Sequence, residues 1–242
     1  GASGAETGNV GFGTEALTAI TTGANNNCIG YGAGKAIQGG ASNIIIGKNA
    51  GDSAISANQN IIIGQDAGQA LEDVDTCILI GHDAGKAINS TNANGTVAIG
   101  YTAGVAITSG EHNTAVGFET LLSNQSANGC TAVGKTALRS VNKDGNSLCT
   151  AVGFQAGYNV TDGVNNTIMG VDALKTMQSG DNNTAIGYKA LEDANEDASN
   201  MNTAVGSESA LNLTTAIKTV AIGHHAIGSG VCTGDKNVAV GQ

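Results

Sequence analysis

Residues 182–193 read NNTAIGYKALED, and nearly the same phrase returns as HNTAVGFETLLS at 112–123 and LCTAVGFQAGYN at 148–159. Aligned on the glycine after the apolar pair, fourteen copies appear, at Gly13, Gly30, Gly47, Gly64, Gly81, Gly100, Gly117, Gly134, Gly153, Gly170, Gly187, Gly206, Gly223 and Gly241. Of the thirteen spacings nine are 17 residues, three are 19 and one is 18. A fixed period this short marks a solenoid, in which each repeat is one coil that cannot bury its apolar face alone. The 19-residue spacings follow Gly81, Gly134 and Gly187, 53 residues apart each time, which reads as a duplicated three-coil block carrying one larger loop.

Counting each copy from its glycine as position 0, the columns assign the strand. Position −1 is apolar in all fourteen copies, and −3 is Val, Ile or Thr in thirteen, with Asn27 the exception. That is a β-branched face of period two. Position −2, on the opposite face, is Ala at 115, 132, 151, 185 and 204 and a larger apolar residue at Ile45, Ile62 and Leu79. Both faces of the strand are therefore apolar, so a core covers one and something else, most economically an identical chain, covers the other. Position +3 is Ala in eleven of thirteen copies, and +7 is Ile, Leu, Val or Met in nine. Turns such as QGGAS, TSGEH, TDGVN and QSGDN close the coil with residues that tolerate left-handed backbone. Each coil reads as strand, glycine bend, second strand and turn.

Composition fits a thin core. Aromatics are 3%, Trp and Pro are absent, and Gly contributes 37 of 242 residues. The formal charge of −10 sets nucleic acid aside as a partner, since a phosphate backbone would be repelled. No apolar run is long enough to span a bilayer, so no membrane insertion is expected. The chain opens and closes inside the repeat and reads as a single β-solenoid domain over 1–242, a fragment of a longer fibre. At the usual strand spacing of about 4.8 Å, fourteen coils would make a rod on the order of 65 Å long.

The phrases N-T-A-V-G-x-x-A and N-I-I-I-G-x-x-A resemble the head repeats of trimeric autotransporter adhesins and the NTAVG repeats of bacteriophage tail-fibre proteins. The resemblance covers nearly the whole chain. It departs from the adhesin pattern in its 17-residue period and in Ala where the adhesin phrase has Ser. What it implies is an all-β fold, a left-handed parallel β-roll of about fourteen 17-residue coils, assembled as a homotrimer. The expected function is a structural, adhesive segment of a virion tail fibre that presents elements binding a host cell-surface glycan or protein. The alternatives are the head or stalk of a bacterial adhesin at the extracellular cell surface and, from another class, a polysaccharide-depolymerising tailspike.

The candidate chemistry is sparse. Position +1 holds Tyr31, Tyr101, Phe118, Phe154 and Tyr188, together with His82 and His224. Rings repeated along a polar surface suit glycan contact, and they equally suit covering the bend. Cys77, Cys130 and Cys149 replace the Asn of the −4 column and read, with Cys28 and Cys232, as unpaired structural thiols: no C-x-x-C pair or phased His accompanies them. An odd set of free thiols favours assembly in a reducing cytosol, as for a virion protein. The nine-Asn column itself reads as a stacked amide ladder. The acidic residues Glu72, Asp73, Asp75, Glu192, Asp193, Glu196 and Asp197 match no calcium loop and read as solvated. The Thr column at 114, 131, 150, 167, 184 and 203 is expected to be buried. No catalytic constellation, cofactor site or metal site is expected, and the chain reads as no enzyme.

Overall fold

The computed structural model describes residues 7–194, 200–228, 232 and 234–242. The chain forms two compact units, 1–119 and 120–242. In the first, seven three-residue strands follow one another: β1 (Val10–Phe12), β2 (Asn27–Ile29), β3 (Ile44–Ile46), β4 (Ile61–Ile63), β5 (Ile78–Ile80), β6 (Val97–Ile99) and β7 (Thr114–Val116). The second holds β8 (Ala127–Asn128), β9 (Thr131–Val133), β10 (Gly145–Asn146), β11 (Thr150–Val152), β12 (Thr167–Met169), β13 (Thr184–Ile186), β14 (Thr203–Val205), β15 (Val220–Ile222) and β16 (Val238–Val240). Within each unit the repeat strands pair in parallel with the next copy, like position on like position, as Ile62 on Leu79 and Ala185 on Ala204. The chain is a parallel β-solenoid, and its fourteen repeat strands bound thirteen coils, one fewer than counting glycines suggests.

Only the −2 residue of each strand points into the coil. Cys28, Ile45, Ile62, Leu79, Ala98, Ala115, Ala132, Ala151, Ile168, Ala185, Ala204 and Ala221 are fully buried, while their neighbours at −3 and −1 are half-buried or exposed. The Thr column, expected to be buried, instead faces outward with them: Thr150 and Thr167 are exposed, and Thr114, Thr131, Thr184 and Thr203 half-buried.

The glycine at position 0 is demanded twice. At Gly64 the backbone has φ +138°, and an added Cβ would lie 2.3 Å from the carbonyl oxygen of Gly81 on the next coil. A backbone can pass this close to its neighbour only where no side chain stands between them.

The second strand expected after the bend is absent: positions +1 to +6 are a chain of turns. Their backbone alternates, with left-handed residues at +2 and +4, as at Asp66 (φ 55°) and Gly68 (φ 52°). Some N–H groups of the segment therefore reach back one coil and others forward. Asp66 N–H donates to Lys48 O (2.9 Å) on the preceding coil, whereas Gly68 and Ala70 N–H donate to Ala84 O and Lys86 O (3.0 Å each) on the following one. These bonds offset the cost of holding L-residues at positive φ, about 1–2 kcal/mol each in an isolated chain. Among the described residues thirty non-glycine residues have positive φ, Thr76 and Leu174 among them.

Positions −2 and +4 trade volume inside the coil. Where −2 is Ile45, Ile62 or Leu79, +4 is Gly51, Gly68 or Gly85; where −2 is Ala115, Ala132 or Ala185, +4 is Leu121, Leu138 or Leu191. A Cβ on Gly68 would meet Leu79 Cδ1 at 2.8 Å. The coil bearing Ala151 and Gly157 is small at both positions, and Ile168 Cδ1 and Leu138 Cδ2 from its two neighbours reach within 2.8 Å of where a Gly157 Cβ would stand. The exchange is not general: Ala98 with Gly104 is small at both positions, and Ile168 with Leu174 is large at both.

The larger loops of the 19-residue coils differ. After Gly81 the extra residues form a 3₁₀ turn, Thr91–Ala93, capped by Ser90 Oγ accepting from Asn92 N–H (3.3 Å). After Gly134 they form β10, which pairs in parallel with β8.

Candidate functional site

Two side-chain ladders fix the register of the coils. In the first, at position −4, Asn43 Nδ2 donates to Asn26 Oδ1 (2.9 Å) and Ala57 O (2.7 Å), while its own Oδ1 accepts the backbone N–H of Asn60 (3.0 Å). The pattern continues through Asn60 to Cys77 N–H (2.8 Å), and in the second unit from Asn166 through Asn183 and Asn202 to Thr219 N–H. All these amides are buried, and the ladder read from the −4 column is present.

The second ladder, at −6, has no uniform residue type to announce it. Ala41 N–H donates to Asn58 Oδ1 (2.9 Å), Asn58 N–H to Asp75 Oδ1 (2.7 Å) and Asp75 N–H to Asn94 Oδ1 (2.8 Å). Val164, Asp181 and Ile217 N–H donate likewise to Asp181, Asn200 and Asp235. It runs opposite to the first: here the side-chain oxygen of the later coil serves the earlier coil's N–H. Asp75 is therefore a structural acceptor and not a solvated loop carboxylate, whereas Glu72, Asp73 and Asp193 are exposed. Glu196 and Asp197 lie outside the described residues.

The cysteines are free, and Cys28, Cys77, Cys130 and Cys149 are buried. Burial pushes the Cys28 thiol up to about 12 and those of Cys77 and Cys130 up to about 11, and it raises that of Cys149. Such thiols carry almost no thiolate at neutral pH and are poor nucleophiles and poor metal ligands.

All five aromatic candidates stand outside the coil, 40–49% exposed. In the first unit, Tyr101 lies between His82 and Phe118 of the adjoining coils, with centroids 5.4 and 5.2 Å apart and planes inclined by 19° and 12°. Near-parallel rings at this separation form an offset stack. Tyr101 nevertheless stays 48% exposed, about as much as Tyr31 at 49%. In the second unit Lys135 Nζ sits 5.7 Å from the Phe154 centroid and Lys189 Nζ 5.6 Å from that of Tyr188, so each ring carries a cation.

Beside the stack, Asp66, His82 and Asp83 bring one ligand atom each to within 4.8 Å of one another. The sequence offers a signal for this in retrospect: 66 and 83 are 17 apart and so occupy position +2 of successive coils. Burial tends to raise the Asp66 pKa, but hydrogen bonds from Gln65 and Asn49 and the nearby Lys86 and His82 outweigh it and hold the carboxyl below its ordinary value.

No family model matches the chain, and no curated protein or solved structure is significantly similar to it. Among the described residues no helix is long and apolar enough to cross a membrane.

Proposed function

We propose that this chain is a segment of a homotrimeric fibre, a left-handed parallel β-roll of a phage tail fibre that spaces and presents host-binding elements and has no enzymatic role. The observation that carries the reading is the outward strand face. Ile44, Ile46, Ile61, Ile63, Ile78, Ile80, Val97 and Ile99 form a continuous β-branched surface on β3 to β6, and none of them enters the coil interior. A row of apolar side chains left half-buried or exposed on successive coils supports an interaction site. The surface repeats with the coil, so its natural complement is a surface with the same repeat, which another copy of the chain possesses. Threefold symmetry and the virion come from the resemblance to tail-fibre repeats.

Function then resides in length, stiffness and multivalent display, with weak contacts adding through avidity. Exposed rings on the +1 column, Tyr31, Tyr101, Phe118, Phe154 and Tyr188, are the proposed points of glycan contact. Sedimentation equilibrium tests the assembly: a particle of three chain masses is expected, and a stable folded monomer or a dimer would sink it. Glycan arrays probed with the wild type and with Tyr31→Ala and Tyr188→Ala test the rings; equal binding by all three would remove them from the proposal.

A further inference from the structure

We propose that Asp66, His82 and Asp83 form a binding site for a borderline divalent transition metal of the Zn²⁺ type. The site stands independently of the fibre reading. Its donors are one imidazole nitrogen and two carboxylates, converged to within 4.8 Å. That set suits Zn²⁺, which takes His nitrogen and carboxylate oxygen at about 2.0–2.2 Å. Ca²⁺ and Mg²⁺ favour all-oxygen shells and fit it less well.

The three residues are held in place by interactions of their own. Asp66 and Asp83 lie on neighbouring coils, their N–H groups donating to Lys48 O (2.9 Å) and Gln65 O (3.0 Å). The Asp66 carboxylate accepts from Asn49 Nδ2 and Gln65 Nε2, 3.1 Å each, and His82 is stacked on Tyr101. Among the described residues, position +2 places carboxylates on consecutive coils only here. Two carboxylates so close repel each other unless a cation lies between them. The local cation is Lys86, whose Nζ is 2.9 Å from Asp83 Oδ1, while His82 Nδ1 is 3.0 Å from Asp83 Oδ2. An ammonium pairs with one carboxylate; a divalent ion engages both and the imidazole. On binding, the metal takes the place of the direct contact between His82 Nδ1 and Asp83 Oδ2, and the solvent-accessible Lys86 side chain turns away.

Calorimetric titration of the chelator-treated full chain with ZnCl₂, in a Cys232→Ser background that removes the half-exposed thiol, tests the site. One Zn²⁺ per chain is expected, and no binding of CaCl₂. His82→Ala and Asp66→Asn should each weaken affinity at least ~10-fold, the scale of losing a ligand or its support. Lys86→Gln should tighten it by removing the competing cation. Absence of binding at ~100 µM Zn²⁺, the weak end of specific association, would overturn the proposal. So would unchanged affinity in His82→Ala, or weaker binding in Lys86→Gln.

Discussion

Replacing Asn60 by alanine tests whether the amide ladder holds the coils together. Asn60 is 1% exposed, and its side chain makes three bonds: Nδ2 donates to Val74 O (2.8 Å) and Asn43 Oδ1 (3.1 Å), and Oδ1 accepts from Cys77 N–H (2.8 Å). Asn60→Ala removes all three and leaves the backbone bond to Asn43 Oδ1 (3.0 Å) in place. Val74 O and Cys77 N–H then lose a partner inside the coil, where each unsatisfied group costs about 1–3 kcal/mol, and the expected destabilisation is about 3–5 kcal/mol. Asn60→Thr should cost less, because a hydroxyl there can still bond a carbonyl of its own coil, as Thr96 Oγ1 does to Ala93 O (2.7 Å), although Val74 O loses its partner either way. Urea denaturation followed by far-UV circular dichroism measures both, the chain having no Trp to report by fluorescence. A loss below about 1 kcal/mol for Asn60→Ala, the net worth of one ordinary hydrogen bond, or an equal loss for Asn60→Thr, would refute the ladder as a source of stability.

Gly64→Ala must place a Cβ 2.3 Å from Gly81 O at φ +138°; such backbone strain alone costs about 1–3 kcal/mol, so thermal melting should fall sharply, whereas Gly39→Ala, where a Cβ would meet only Thr22 Oγ1 at 3.5 Å, should be within about 0.5 kcal/mol of the wild type. Cys28 and Cys77 have pKa values raised from 9.0 to about 12 and about 11. The unfolded thiols thus ionise first: stability should be level below pH 9 and fall between pH 9 and about 11–12, and Cys77→Ala should flatten that fall in pH-dependent denaturation. At pH 8 a disulfide reagent should label Cys232, half-exposed, and spare the buried thiols until the chain unfolds. Ile63→Asp, on the outward face, should leave the circular dichroism intact and abolish assembly in sedimentation; a mutant that still assembles would exclude β4 from the interface.

The fold was legible because a solenoid writes its structure in columns. Position 0 could be read as glycine by necessity, and the −4 Asn as a ladder, since the first repeats fourteen times and the second nine. The orientation of the strand was legible only in part: apolar residues at −3, −2 and −1 identify two faces, but one chain cannot say which of them needs a partner. The turn segment escaped the reading for a different reason. Its order comes from alternating hand at residues such as Asp66, Thr102 and Leu138, types that rarely adopt positive φ alone, and bonds to the coils above and below hold them there. The −6 ladder was hidden because Asn58, Asp75 and Asn94 share only an oxygen at the right reach. The Asp66–His82–Asp83 cluster was hidden because Asp66 joins the adjacent His82–Asp83 pair across a coil and not along the chain.

The bonds between coils all join a position to its own counterpart or to one a fixed offset away. Removing Lys48 through Gly64 would therefore join Gly47 to Gln65 and present each flanking coil with the same donors and acceptors it meets now. Gln65 would follow the stacked glycine just as Lys48 does. Length is thus a quantity that recombination within the gene can change in whole steps without a new folding problem to solve at the junction. A chain shortened in this way should keep its circular dichroism per residue, while a deletion of 16 or 18 residues there should not, because the odd residue would fall in the turns after the bend, where the backbone hand alternates position by position.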